Sequence, residues 1–220
     1  MKKIFPILVI CLGLFSQLMA QEETKTVKKE APAKKYARAT FNATKIINFQ
    51  STEIVTPGVL QFMISHHFSH IWSKDGGSQN VAQFFGLNSG VAHTYLSFDY
   101  SPMKWMNTGI ALAGSAKYEA FVKFKILRQQ TGAMNIPVSV SWYSMGNVNT
   151  AKDPDNGFTG NKFSFLHQLL IARKFSDKIS LQLSPTWIHF NVVPYGINNS
   201  NEVFSLGIAG KYKATPKLNI

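Results

Sequence analysis

The stretch KYEAFVKFKI, residues 117–126, decides the fold of this chain. Alternate positions from Tyr118 to Ile126 are apolar, and the other positions, from Lys117 to Lys125, carry three lysines and a glutamate, with Phe121 as the exception. Wound into a helix at about 100° per residue, the charges would point in roughly four separate directions and leave no apolar face. Extended as a strand, the segment has one apolar face and one charged face, so it predicts β-structure.

The same alternation recurs along the chain. It is found at residues 91–100, 106–114, 136–145, 179–188 and 203–212, and less regularly at 58–68 and 163–173. Residues 44–50 are a further short candidate strand. Runs of about ten residues have the length that a tilted strand needs to cross a bilayer core. After residue 20 no apolar run is long enough for a helical span, so a membrane-embedded backbone would require a closed sheet.

The connections between these strands alternate in length. Short turns are expected at 101–104, 129–135, 176–178 and 214–217, and longer loops at 69–90, 146–162 and 191–202, with 115–116 as a tight exception. Periplasmic turns and longer extracellular loops are typical of outer-membrane barrels. The sequence therefore predicts an all-β fold, an antiparallel up-and-down transmembrane β-barrel of about 8–12 strands. Residues 217–220 resemble the start of another strand, so we expect a C-terminally incomplete chain.

The N-terminus has the organisation of an export signal. Two lysines precede an apolar stretch, and Ala20 supplies a small residue for cleavage, so residues 1–20 are predicted to be a signal peptide. Residues 21–40 are rich in lysine and glutamate and predict a flexible leader. Residues 41–220 then form one barrel domain. Cys11 is the only cysteine, so the mature chain is expected to lack disulfides and thiolate metal sites.

A formal net charge of +12 is a feature that nucleic-acid-binding proteins share. Nucleic acid is not expected, because the chain is predicted to be exported and its charges are scattered singly. The expected partners are outer-membrane lipid and the machinery that assembles barrels, and the sequence does not indicate an oligomeric state. No motif for a cofactor is present.

Several stretches resemble an uncharacterised outer-membrane β-barrel family of Gram-negative bacteria, a domain of unknown function commonest in the Bacteroidota. They are ATKIINFQSTEIV (43–55), GVLQFMISHHF (58–68), LRQQTG (127–132), IPVSVSW (136–142), LHQLLIARKFSDKISLQLSPTWIHFN (166–191) and FSLGIAGKYK (204–213). The resemblance covers residues 42–220. It implies a barrel in the outer membrane and implies no activity.

The polar faces of the strands provide the candidate functional residues. The charged and polar residues predicted to face the barrel lumen are His93, Asp99, Lys117, Glu119, Lys123 and Lys125. In a narrow barrel such side chains fill the interior, whereas in a wider barrel they select ions. We expect a filled interior.

Two further groups of residues are candidates for a site. His66 and His70 are metal candidates, although on a strand they would lie about 13 Å apart, at roughly 3.3 Å per residue, so only a turn near Ser69 could bring them together. Aromatic residues near strand ends are candidates for the girdles at the membrane interfaces. They are Tyr100, Trp105, Trp142, Trp187 and Tyr212.

Three functions are compatible with these patterns. The first is an integral outer-membrane barrel with a structural, adhesive or passive-transport role, and without enzymatic activity. The second is a soluble periplasmic barrel, whose apolar faces would point inward around an apolar ligand. The third is a lipid-modifying enzyme that uses His167 or His189, although no catalytic residue is singled out by its spacing.

Overall fold

The alternating stretches form long strands in the structure, a computed structural model that describes residues 33–47, 49–67, 93–114, 116–151, 162–193, 200–215 and 218–220. In chain order the strands are β1 (Lys35–Tyr36), β2 (Lys45–Ile46), β3 (Phe49–Gln50), β4 (Leu60–His67), β5 (His93–Met103), β6 (Met106–Ala113), β7 (Lys117–Leu127), β8 (Gln130–Thr131), β9 (Ser139–Asn149), β10 (Phe163–Lys174), β11 (Ile179–Phe190) and β12 (Glu202–Tyr212). No helix occurs among these residues, so the all-β prediction is confirmed.

Eight of the strands form one antiparallel sheet in the order β4-β5-β6-β7-β9-β10-β11-β12. Each strand of the sheet lies beside its neighbour in the chain, which is the predicted up-and-down topology. Tight connections join β5 to β6 and β10 to β11 at one end of the sheet, which we call the turn end. The opposite end, where β9 leads to β10 and β11 to β12, is called the loop end. Within the described part of the chain the sheet is open, with β4 and β12 as its edges.

The two faces of the sheet have opposite character. One face lies against residues 39–55, which we call the inner segment, and this face is called the inner face. On β11 the inner face presents Ser180, Gln182 and Ser184, each at most 1% exposed, whereas the outward Leu181 and Leu183 are 48% and 45% exposed. Buried polar and exposed apolar side chains are the reverse of a soluble protein.

Phe121, the exception to the alternation in β7, also lies on the inner face. It packs against Tyr143 at a ring-centroid distance of 5.4 Å and forms a buried cluster with Leu170. Gly109 on β6 leaves room for it, because a β-carbon there would come within 2.6 Å of the Phe121 ring. A small apolar core is therefore present inside an otherwise polar interior.

Residues 44–50 differ from the expected single strand. They form the separate two-stranded β2–β3 hairpin, and Ile47 at its turn has a φ of 51°. A β-branched residue with positive φ cannot continue an extended strand, which explains why the segment reverses direction.

The strand expected at 136–145 starts three residues later and ends at Asn149. Pro137 lacks a backbone donor, so regular pairing begins only after it. Pro185 is retained inside β11, and there the ladder to β10 skips from Thr186 to Leu183.

The ends of the chain add smaller elements. β1 lies within the stretch assigned to the leader and pairs with β8. The backbones of Tyr212 and Ile220 exchange hydrogen bonds of 2.6 and 2.8 Å, so residues 218–220 run back along β12. Residues 34–220 form one compact unit, and the preceding unit, residues 1–33, lies almost entirely outside the described ranges, including the predicted signal peptide.

Among the residues that the structure describes, no helix has the length and apolar character needed to cross a membrane.

If the outer face contacts lipid, as the sequence predicts, a charge there is costly. Leu183→Arg places a guanidinium halfway along β11 and is expected to lower the free energy of unfolding by about 2–4 kcal/mol, whereas Leu183→Phe should change it little. Urea unfolding in phosphatidylcholine vesicles measures both. Equal stability of the two variants would contradict a lipid-facing position for Leu183.

Candidate functional site: an interior filled by the chain itself

The side chain of Lys123 fastens the inner segment to β7. Its ammonium group donates hydrogen bonds to the carbonyl oxygens of Thr44, Ser51 and Glu53 at 3.2, 3.0 and 3.1 Å. An ammonium group has three hydrogens, so these three carbonyls satisfy it completely. Lys123 is fully buried, and this satisfaction is what makes a buried cation tolerable.

A second anchor lies on β11. The Gln182 amide donates to the carbonyl of Gln50 at 2.7 Å and accepts from the backbone N–H of Thr52 at 3.2 Å. The side-chain amide of Gln182 thus bonds to the backbone of the inner segment as the peptide group of a neighbouring strand would. Gln182 and Thr52 are nevertheless 130 residues apart in the chain. The inner segment is held from β7 and from β11 at once.

Charged side chains add contacts along the length of the segment. Lys125 forms an ion pair with Glu53 at 3.7 Å, and the Lys211 ammonium donates to the carbonyl of Ala39 at 2.6 Å. Both pairs are partly exposed, so each contributes modestly to stability. They hold Ala39, at the start of the inner segment, to β12 and Glu53, near its end, to β7.

Shape complementarity fixes the tip of the inner segment. The ring of Phe49 lies directly over Gly207 on β12, so close that a β-carbon built at Gly207 would overlap it. Only glycine leaves this space. The segment therefore contacts strands β5, β7, β11 and β12, which together span most of the sheet.

A cavity of about 260 Å³ remains beside the β2–β3 hairpin. Its polar lining includes Lys45, Tyr95 and Glu119, and its apolar lining includes Phe49. The Tyr95 hydroxyl donates to Glu119 at 3.0 Å, and Asn147 donates to the other carboxylate oxygen at 3.4 Å. Because its carboxylate already has two partners, Glu119 acts here as part of a hydrogen-bond network.

Lys45 is the cation of the inner segment that enters this cavity. Its ammonium donates to Ser97 at 3.2 Å and lies 4.1 Å from the centroid of the Tyr95 ring. Burial lowers the pKa of Lys45, and the carboxylates of Asp99 and Glu119 partly oppose that shift. The arrangement is a charge-balanced interior, with both signs present and neither in large excess.

The residues predicted to face the lumen occupy different environments. Asp99 and Lys123 are fully buried on the inner face, and Asp99 attracts both Lys123 and Lys45. Glu119 and Lys125 lie on the same face and are half-buried. Lys117 is exposed at the loop end of β7. His93 begins β5, and its side chain lies outside the described set. Their proposed role in a lumen stays a prediction.

Of the two metal candidates, the structure describes only His66. His66 lies on the exposed outer side of β4, and His70 falls outside the described residues. Among the residues that are described, no group of three or more His, Cys, Asp or Glu side chains is arranged to hold a metal ion.

The aromatic candidates all lie on the exposed side of the sheet. Three of them belong to a continuous row of stacked rings, with centroids 5.2 to 5.9 Å apart. The row is Trp105, Phe124, Trp142, His167 and Trp187. It begins at the β5–β6 turn and crosses obliquely to the loop-end half of β11. Tyr100 and Tyr212 lie near the turn end, so the five candidates do not share one level along the strands.

Of the residues that hold the inner segment, the sequence singled out Lys123 and Lys125 but not the others. Gln182, Gly207 and Lys45 lie in the stretches 179–188, 203–212 and 44–50, and nothing in the pattern of those stretches distinguishes them. The one available signal was residues 40–52, where polar residues such as Thr44 and Ser51 do not alternate regularly with apolar ones. Such a segment suits a polar interior better than a lipid-facing strand.

With the geometry established, comparison with known proteins identifies the family. The model of the membrane bound beta barrel domain (DUF5777) matches residues 41–220. The chain belongs to this family. No curated protein and no solved structure matches it. The exposed apolar face of the sheet is therefore the face of a membrane-bound barrel, and its function is not known from the family.

The alternative of a soluble barrel required apolar faces that point inward around a ligand. The inner face instead buries Ser97, Asp99 and Lys123, while Phe98 and Ile110 are exposed on the outside. The soluble alternative is therefore wrong, because water-exposed apolar strands would make such a protein aggregate.

Removal of the Lys123 ammonium should loosen the inner segment. In Lys123→Met two buried carbonyls and one partly buried carbonyl lose their donor, at about 1–3 kcal/mol for each buried group left unsatisfied. We expect faster amide hydrogen exchange over residues 41–53, measured by mass spectrometry in detergent micelles. Lys117→Met, which removes an exposed lysine of the same strand, is the control and should leave exchange unchanged. Unaltered protection in Lys123→Met would show that the anchor is dispensable.

Proposed function

We propose that this protein is an integral barrel of the bacterial outer membrane whose interior is closed by the inner segment. Its role is then structural or adhesive, or at most the passage of very small solutes. The observation that carries the proposal is the attachment of Lys123 to three carbonyls of the inner segment. Export by a cleaved signal peptide at residues 1–20, insertion by the barrel assembly machinery and a Bacteroidota-type origin are parts of the same proposal.

The physical argument concerns what an open pore would require. A conducting lumen needs a continuous path of water between the two ends of the barrel. Here the inner segment lies across the interior and contacts strands on both sides of it. The cavity of about 260 Å³ beside the β2–β3 hairpin and a wider recess of about 860 Å³ between the inner segment and the start of β4 are both lined by the inner segment itself. Charged groups such as Lys125 and Glu53 are paired with each other and are not aligned along a path.

A planar-bilayer recording tests this closure. The wild-type protein should show little or no conductance, because the inner segment fills the lumen. The double variant Lys123→Met/Gln182→Leu removes both anchors and should conduct more, or flicker between closed and open levels. Lys117→Met serves as the control and should behave as the wild type. A large, steady conductance of the wild-type protein would overturn the proposal.

Topology gives an independent test. If the turn end faces the periplasm, a cysteine at Asp177 should react with a cell-impermeant maleimide only after the outer membrane is permeabilised. A cysteine at Ser200, at the loop end, should react in intact cells. The native Cys11 lies in the predicted signal peptide, so a mature chain would contribute no background. Labelling in the reverse order would invert the proposed orientation.

A lipid-modifying activity is the second candidate, favoured by one contact. The Nδ1 atom of His189 lies 2.6 Å from a carboxylate oxygen of Glu202, which is the pairing of a general base with the acid that orients it. No serine hydroxyl within the described ranges is hydrogen bonded to His189 or to His167. Among the described residues no nucleophile lies beside the pair, and we propose a non-enzymatic role. Phospholipid hydrolysis that is lost in His189→Ala would favour the enzyme instead.

A further inference from the structure

The outer face of the sheet carries an apolar groove of about 650 Å³ in its loop-end half. Its volume is within the range of roughly 300–1,000 Å³ that is usual for small-molecule sites. Strands β5, β6, β7, β9 and β10 contribute to it, and nearly all of its exposed lining is apolar.

The groove exists because two small residues meet on neighbouring strands. Along one row of cross-strand pairs, Ile110 faces Ala120, Ala120 faces Gly146 and Gly146 faces Phe165. The large side chains of Ile110 and Phe165 thus border a floor that is formed by the methyl group of Ala120 and by Gly146, which has no side chain. Tyr118 lies in the adjacent row towards the loop end and forms part of the wall.

The backbone does not require glycine at the centre of this floor. Gly146 has no positive φ, and a β-carbon built there would meet only the Phe165 ring at 3.8 Å, an ordinary contact. This differs from Gly207, where any side chain would collide with Phe49. The depression is therefore space that a larger residue could have filled without strain.

We propose that this groove holds one acyl chain of a lipid of the surrounding membrane. The groove is continuous with the apolar outer face, which the family assigns to a membrane. Phe98, Ile110 and Phe165 at its borders are 40% to 62% exposed on that same face. An unfilled groove would leave its walls without dispersion contacts, and an acyl chain is the flexible apolar group available at that depth.

The proposal predicts that this lipid is retained at a fixed position. Most lipids around a barrel exchange along a convex surface, whereas a chain in a groove gains contacts on three sides and dissociates more slowly. The inference depends on the lipid-facing outer face. It does not depend on the closure of the interior, so a large conductance of the wild-type protein in a planar bilayer would not contradict it.

Photocrosslinking tests the site directly. The full chain is reconstituted in vesicles of dioleoylphosphatidylglycerol that contain a phospholipid with a diazirine on its acyl chain. After illumination, crosslinked residues are mapped by peptide mass spectrometry. We expect adducts to concentrate on Tyr118, Phe163 and Phe165. An even distribution over all outward residues would overturn the proposal.

Two variants fill the groove from different strands. Gly146→Leu and Ala120→Leu should each reduce the adducts at these positions several-fold. Ile208→Phe, which adds bulk on the outer side of β12 away from the groove, is the matched control and should leave them unchanged. Heat-modifiable gel mobility confirms that each variant is folded, and two filling positions guard against the failure of one. Unchanged adducts in both folded variants would refute an acyl chain in the groove.

A second copy of the protein is the competing occupant. If light scattering in detergent shows a dimer that Gly146→Leu converts to a monomer, the groove is a protein interface and the lipid proposal is wrong.

Discussion

The bonds between the Lys123 ammonium and three carbonyls of the inner segment determine how the interior is organised. Neither partner is stable alone in a low-dielectric interior. The ammonium needs acceptors, and the backbone carbonyls of a segment without a sheet of its own need donors. Each supplies what the other lacks. Gln182 repeats the same exchange on the opposite side, by donating to one peptide group and accepting from another.

The polar interior and the apolar exterior are two consequences of one pattern. Period-two alternation assigns every second side chain to each face. On β11 this gives serine, glutamine, serine and threonine inside, and leucine, proline and tryptophan outside. In water this arrangement would be unfavourable. In a membrane the outer apolar residues contact lipid and not water, so their exposure carries no cost. The small inner residues leave room for the inner segment, which a core of large apolar side chains would exclude.

The sequence predicted the sheet well because alternation is a local property. The boundaries of β7 and β12 agree with the expected strands within about one residue, and neighbouring strands pair in chain order. At two places where prediction was less accurate, the cause was a single residue. Pro137 delays the start of β9, and Ile47 turns an expected strand into a hairpin.

The interior could not be predicted in the same way. Its contacts join residues that are 52 to 172 residues apart, from Lys45 with Ser97 to Ala39 with Lys211. No local period encodes such a pairing. The stacked row from Trp105 to Trp187 was equally hidden, because it depends on the β5–β6 turn and on the register of β7, β9, β10 and β11.

Chain order constrains how this interior is assembled. The inner segment precedes the sheet in the chain, yet its anchors lie on β5, β7, β11 and β12. The anchor at Gln182 requires β11, and the contact of Phe49 with Gly207 requires β12. The segment therefore cannot complete its bonds until the last strands have joined the sheet. Enclosure of the segment and completion of the sheet depend on each other, since buried serines and lysines without the segment would leave polar groups unsatisfied inside the barrel.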